Sequence, residues 1–300
     1  MAPELDDGEL GNVRRQLVAP RIPGQLDLSA GLVEQLFLDT GADWDRRAHR
    51  MGVLAQVAPY SLVHGWRRQR PGNPDAVLFH AWVDLAHAQR EGALENPGST
   101  VDRCYRAADL CPEDPTPWLV LLSVLRLLGR PQGEVFAIAK EVWARDVWHR
   151  DAHLQMLGYL SPDEYGSHAQ VLDFVDHLRL SAPPNSPVAA LELTMMVNRY
   201  RARVSAGGVG ALGAWQLLTR PDAETAMERA LAHWPRPGFL RHAAAVADLN
   251  VLAYALVHAN RTARAGPVFL AIDQAVTVWP WSLDGDPVKQ FSYRQAQARR

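Results

Sequence analysis

The chain has 300 residues, 48% of them hydrophobic and 21% charged, with a formal net charge of −2. That length supports a sizeable core in one large or two small globular domains. A charge so near zero excludes a nucleic-acid protein held by overall electrostatics.

No uncharged apolar run approaches the roughly 18 residues of a membrane span. The acidic start, Met1-Ala2-Pro3-Glu4-Leu5-Asp6-Asp7, lacks the apolar stretch of a secretory signal. Cys104 and Cys111 are seven positions apart, about 10 Å along one helix. A disulfide needs Cα atoms within about 7 Å, so free thiols in a reducing cytoplasm are expected. Only Lys140 and Lys289 are lysines, so 29 of the 31 basic residues are arginine, and isoleucine occurs three times. That usage fits a GC-rich coding genome, as in actinobacteria.

In chain order, residues 1–25 hold Pro3, Pro20, Pro23 and Arg14-Arg15 with poor periodicity. They are read as an N-terminal arm, mobile or docked on the domain. Ser29 is placed to cap a helix carrying Leu32, Val33, Leu36 and Phe37. Helices follow over 43–54 and 59–66, the second running into Arg67, Arg68 and Arg70. Asn73 can cap a helix opening at Pro74, with Val77, Leu78, Ala81, Trp82, Leu85 and Ala86 as its apolar stripe. Residues 92–99 break it, and 102–110 is helical again.

The stretch 117–129 is the most apolar. Pro117 suits a first helical position and Gly129 a left-handed residue just past the end. Trp118, Leu121, Leu122, Leu125 and Leu128 share one face, while Val120, Val124 and Leu127 cover much of the other. Such a helix is expected to lie buried between neighbours. Further helices are expected over 134–144, 148–159, 172–180, 189–203, 221–233, 239–259 and 263–278. The glycine-dense run 205–213 reads as a loop, and Trp279-Pro280-Trp281 closes the domain. No alternating strand pattern occurs. Most of the ten tryptophans fall near helix ends or turns, where they can anchor successive helix pairs.

At 111–118 small residues lead into a proline-containing turn, and Trp118 opens the next helix. From Pro112 to Asp146 is 34 positions, and from Asp146 to Pro183 is 37. These residues resemble the junctions of tetratricopeptide repeats, most clearly over 74–182. The resemblance implies an all-α, right-handed α-solenoid of antiparallel helix pairs (TPR-like). Its repeats would stack on a shared core and present a concave binding face. The expected organisation is an arm over 1–25, one helical repeat domain over 26–283 with a joint near 205–214, and a C-terminal tail over 284–300. The segment 145–175, with Tyr159-Leu160-Ser161-Pro162 and Gly166-Ser167, also resembles helical proteins of unknown function from actinobacteria. That second resemblance implies no activity.

Several motifs invite chemistry. His149 and His153, four apart on a helix, share a face as two zinc ligands would. Arg150 stands where a metalloprotease has glutamate, and the spacing indicates no third ligand. Gly208-Val209-Gly210-Ala211-Leu212-Gly213 matches a dinucleotide fingerprint but follows a helical run, and the expected acidic residue is absent. The clusters Arg67, Arg68, Arg70 and Arg199, Arg201, Arg203 could meet phosphates, although cations also favour helix C-termini. Asp284-Gly285-Asp286 begins like a calcium loop without the remaining ligands. Asp173 and His177, four apart, suit an acid–base pair or a solvated contact.

The leading expectation is a non-catalytic scaffold or adaptor that binds another protein or peptide on the concave face, with no cofactor and no membrane. Its groove is sought among Arg103, Arg106, Arg126, Trp143, Trp148 and His149. The alternatives are an enzyme on an all-helical scaffold, using a His149–His153 metal site or the Asp173–His177 pair, and an arginine-mediated nucleic-acid binder.

Overall fold

Caps and breakers written into the sequence divide the chain into helices. The computed structural model describes residues 3–19 and 25–299, and every regular element among them is helical. Pro20 and Pro23 of the expected arm lie outside the described residues. The chain forms two compact units, one spanning Asp7–Tyr165 and the other made of the remainder. Among the described residues no helix is long and apolar enough to cross a membrane.

The N-terminal unit holds α1 (Gly8–Val18), α2 (Gln25–Thr40), α3 (Trp44–Ala55), α4 (Tyr60–Gln69), α5 (Pro74–Glu91), α6 (Pro97–Leu110), α7 (Thr116–Leu127), α8 (Gln132–Arg145) and α9 (Arg150–Tyr159). Helix α1 lies inside the expected arm. Asp7 caps it, accepting from the Leu10 N–H at 3.0 Å, and Leu10, Val13 and Leu17 are buried. Helix α2 begins ahead of Ser29, because nothing in Gln25-Leu26-Asp27-Leu28 breaks a helix. The expected Asn73 cap is present: its Oδ1 accepts from Asp75 N–H at 2.8 Å and Ala76 N–H at 3.2 Å. Such a cap is worth about 1 kcal/mol. Gly129 follows α7 at φ 62°, the left-handed conformation that glycine adopts without steric cost.

From α4 to α8 each helix packs against its successor, and α7 and α3 both meet α9. The rings of Phe37, Trp66 and Phe79 form the centre of the core, with centroids 5.6–6.3 Å apart. Burying each contributes about 1.5–3 kcal/mol. In α7, Leu119 through Val124 are buried on all sides, while Leu128 beyond it is 39% exposed. The burial expected over 117–128 therefore ends at Val124, and the last turn is partly exposed.

Two arginines of α3 are buried and fully engaged. Arg47 pairs with Asp75 and, through Nε at 3.2 Å, with Asp114, and also donates to the Phe37 carbonyl at 3.1 Å. Arg50 donates to Asp7 and Glu9, each at 2.8 Å, and to Thr40 Oγ1 at 2.9 Å. Burial pushes the Asp7 carboxyl up, but Arg50 and the Leu10 N–H outweigh it and hold it below its ordinary value. These bonds fasten α1 to α3 and α3 to α5.

The C-terminal unit holds α10 (His168–Ser181), α11 (Leu191–Ser205), α12 (Gly208–Leu212), α13 (Pro221–His233), α14 (Ala245–His258), α15 (Gly266–Ile272) and α16 (Pro287–Ala298), with 3-10 turns at Ala214–Leu218, Thr262–Ala265 and Trp281–Asp284. Helix α14 is central: Asp248 through Val257 are all buried, and α11, α13 and α15 pack against it. Trp281 is fully buried against Tyr254, Phe269 and Phe291, and its indole N–H donates to Asn250 Oδ1 at 2.9 Å.

Four expectations differ here. The helix expected over 239–259 opens only at Ala245, after turns and irregular backbone. The helix expected over 263–278 stops at Ile272, because Asn250 takes over the backbone beyond it. Its Nδ2 donates to the Ala275 carbonyl at 3.1 Å and its Oδ1 accepts from Thr277 N–H at 3.4 Å. The expected tail contains α16, whose cap is Asp286, accepting from Lys289 N–H at 2.9 Å. The glycine-dense run contains the short helix α12, entered through left-handed Gly207 and Gly208.

Candidate functional site

Of the residues singled out in the sequence, most are engaged inside the N-terminal unit. Arg103 on α6 is mostly buried and pairs with Asp84 of α5. Arg106 is exposed and donates to the Pro71 carbonyl at 3.0 Å. Arg126 binds Glu164 through Nε at 2.7 Å and Gln155 through Nη1 at 2.6 Å. Its guanidinium lies where a Cβ on Gly158 would be, so that position accepts only glycine without displacing it. The rings of Trp143 and Trp148 flank His153, at 5.3 and 6.4 Å between centroids.

His149 is fully buried, and neither ring nitrogen has a hydrogen-bond partner among the described residues. His153 donates its Nδ1–H to the His149 carbonyl at 2.9 Å. Among the described residues no group of three His, Cys, Asp or Glu side chains is arranged to hold a metal ion. Asp173 and His177 are both exposed, with no hydrogen bond between them. Asp284 and Asp286 serve separate ends: Asp286 caps α16, and Asp284 accepts from His258.

The pocket that does gather reactive groups lies between α4, α5 and α6. It encloses about 350 Å³ and is lined by Tyr60, His64, His80, Asp84, His87, Glu91, Glu95, Thr100 and Arg103, among others. Helical geometry assembles it. Tyr60 and His64 stand one turn apart on α4, and His80, Asp84, His87 and Glu91 follow one face of α5 at intervals of four, three and four. That face is opposite the apolar stripe, and its period was present in the sequence. What hid it is that a His/Asp/Glu stripe on an amphipathic helix looks like an ordinary solvated face.

The floor of the pocket is a buried, hydrogen-bonded polar array. His80 is 4% exposed, and burial, reinforced by Arg103, Arg67 and His64, lowers its pKa to about 3. The ring is therefore neutral at pH 7. Arg67 Nη1, 3.0 Å from His80 Nδ1, can only donate, so the ring proton sits on Nε2 and faces Asp84 Oδ1 at 3.7 Å. Asp84 also accepts from Thr100 Oγ1 at 2.9 Å and from Arg103. Burial raises the Asp84 pKa, opposed by the Arg103 charge and the Thr100 bond.

The rim is open. The Tyr60 and His87 rings lie 4.5 Å apart, and the His64 and His80 rings 4.8 Å. Neither the Tyr60 hydroxyl nor the His64 imidazole makes a hydrogen bond among the described residues. Burial and the carboxylates of Asp84, Glu95 and Glu91 push the Tyr60 pKa up, so its phenol keeps its proton and remains a donor.

The C-terminal unit carries two other features. Helices α10, α11 and α13 enclose a cleft of about 240 Å³ whose walls include Val175, Leu178 and Trp234 and whose ion pair is Arg229–Glu192 at 2.6 Å. Tyr200, His258 and Asp284 form a hydrogen-bonded chain, with Tyr200 Oη 3.0 Å from His258 Nδ1 and His258 Nε2 2.8 Å from Asp284 Oδ2. The Tyr254 hydroxyl donates to the second Asp284 oxygen at 3.2 Å. The order hydroxyl, imidazole, carboxylate is that of an acid–base relay, and the second Asp284 oxygen is held by Tyr254.

No protein-family model matches the chain, and no curated protein or solved structure matches it. Function is therefore argued from the site itself.

Proposed function

We propose that the chain is a non-catalytic scaffold that binds a protein or peptide, anchored in the pocket between α4, α5 and α6. The observation that carries this reading is the contrast within the pocket: a buried, hydrogen-bonded floor beneath a rim of Tyr60, His64 and His87 with bonding capacity to spare. Arg103, one of the arginines picked out in the sequence, belongs to that floor, and the exposed Arg106 is on the same helix. The stepwise packing of α4 to α8 and the 34-residue spacing support a right-handed, tetratricopeptide-like solenoid of antiparallel pairs over this stretch. The thiols support a reducing, cytoplasmic setting: both are free, and burial raises Cys104 to about 12 and Cys111 to about 11.

The test is a fluorescence-anisotropy titration of the full chain against a panel of labelled peptides. Saturable binding is expected, weakened about tenfold or more in Y60A and H87A, in the manner of an anchor residue. Peptide binding that ignores both substitutions would remove the pocket from this reading.

A further inference from the structure

We propose that the pocket takes an alkylammonium group, the end of a lysine-type side chain, with Glu91 and Glu95 as counter-charges and the Tyr60 and His87 rings as its walls. This rests on the binding reading above and names the chemistry of what enters.

The argument starts from charge. Three carboxylates line the pocket, Asp84, Glu91 and Glu95, against one guanidinium, Arg103. Asp84 and Arg103 neutralise each other in direct contact. Glu91 has His87 Nδ1 at 3.9 Å, a charge partner only when that ring is protonated. Glu95 has no ion-pair partner among the described residues. Two carboxylates are thus left uncompensated at the rim. An anionic ligand would have to displace Asp84 from Arg103 and then face both of them. A cation meets the opposite situation.

The walls agree with the charge. Glu95 and Glu91 act on the Tyr60 phenol as negative charges, while Arg103 opposes the contribution of Asp84, so the uncompensated field beside the ring favours a cation. The face of a tyrosine ring attracts a cation further, and such a contact strengthens as water is excluded. The histidines add acceptor nitrogens that a primary ammonium can donate to. The pocket volume, about 350 Å³, lies near the lower end of ligand-binding clefts, which range from about 300 to 1,000 Å³. One side chain fits that space.

The experiment is NMR of the full chain with labelled histidine, titrated separately with N-acetyl-lysine methylamide, N-acetyl-norleucine methylamide and N-acetyl-glutamate methylamide. The lysine compound is expected to give saturable shifts at His64 and His87. E91Q and E95Q should each weaken it about threefold to fivefold, the scale of an exposed ion pair, and the double variant about tenfold. Glu91 is exposed, so E91Q leaves the fold intact, checked by circular dichroism. Equal or tighter binding of the norleucine or glutamate compound in the pocket would overturn the ammonium assignment and leave the peptide-binding reading standing. Silence of the pocket histidines toward all three, with panel peptides still bound, would overturn it as well. Failure of every peptide would overturn both.

Discussion

The pocket of the N-terminal unit and the hydrogen-bonded chain of the C-terminal unit use the same residue types and differ in what they leave over. Around α14, Tyr200, Tyr254, His258 and Asp284 close on one another, and each strong donor finds an acceptor in its own unit. Between α4, α5 and α6 only the floor closes, through Arg67, His80, Asp84, Thr100 and Arg103. Tyr60, His64 and His87 remain at the rim of a cavity. A tyrosine–histidine–aspartate set is therefore no sign of function in itself. Closed sets hold helices together, whereas a set left open above a rigid floor is available to a ligand.

That contrast predicts where substitutions act. The largest effect is expected from breaking a closed, fully buried set. R47M strips the cation from between Asp75 and Asp114 and should cost about 3–5 kcal/mol of stability, read by urea denaturation. A loss below about 1 kcal/mol would mean that those carboxylates reach water. Next comes H258F, which deprives Tyr200 and Asp284 of their partner. It should cost about 1–3 kcal/mol and leave peptide affinity unchanged. Altered affinity in H258F would move function toward the C-terminal unit.

The floor of the pocket gives a pH effect of intermediate size. His80 titrates near 3 in the folded chain, below the unfolded value of about 6.5. The neutral ring is the native form, so its contribution is full above about pH 6.5 and is lost as the pH falls from there toward 3. Denaturation midpoints of the wild-type chain should therefore fall more steeply than those of H80Q between about pH 6.5 and 5.5, above the range in which ordinary carboxylates take up protons. Parallel slopes would show that His80 is not held neutral. The smallest effect on stability is expected at the rim: Y60F should change it by less than about 0.5 kcal/mol, because the lost hydroxyl has no internal partner. A larger loss would place Tyr60 in a closed set after all.

Much of the helical framework could be read from the chain because it is encoded locally. Asn73-Pro74 carries its own cap, Gly129 its own left-handed exit, and the α5 stripe its own period. What could not be read depends on distant partners. Arg47 and Arg50 look like solvent charges on an amphipathic helix until Asp7, Asp75 and Asp114 are brought to them. The end of α15 is set by Asn250, some 25 residues earlier, rather than by any breaker. The candidate site sits on both sides of this divide. Helix position alone points to Arg103, and His80, Asp84, His87 and Glu91 share a periodic face. The approach of Tyr60 and His64 from α4, and of Thr100 and Arg103 from α6, turns that face into a pocket.

The most direct test of the account is amide hydrogen exchange on the full chain with and without the tightest peptide of the panel. Protection is predicted to rise in α4, α5 and the 92–96 turn and to stay level across α14–α16. Protection that rises only in the C-terminal unit, with α4 and α5 unchanged, would contradict it.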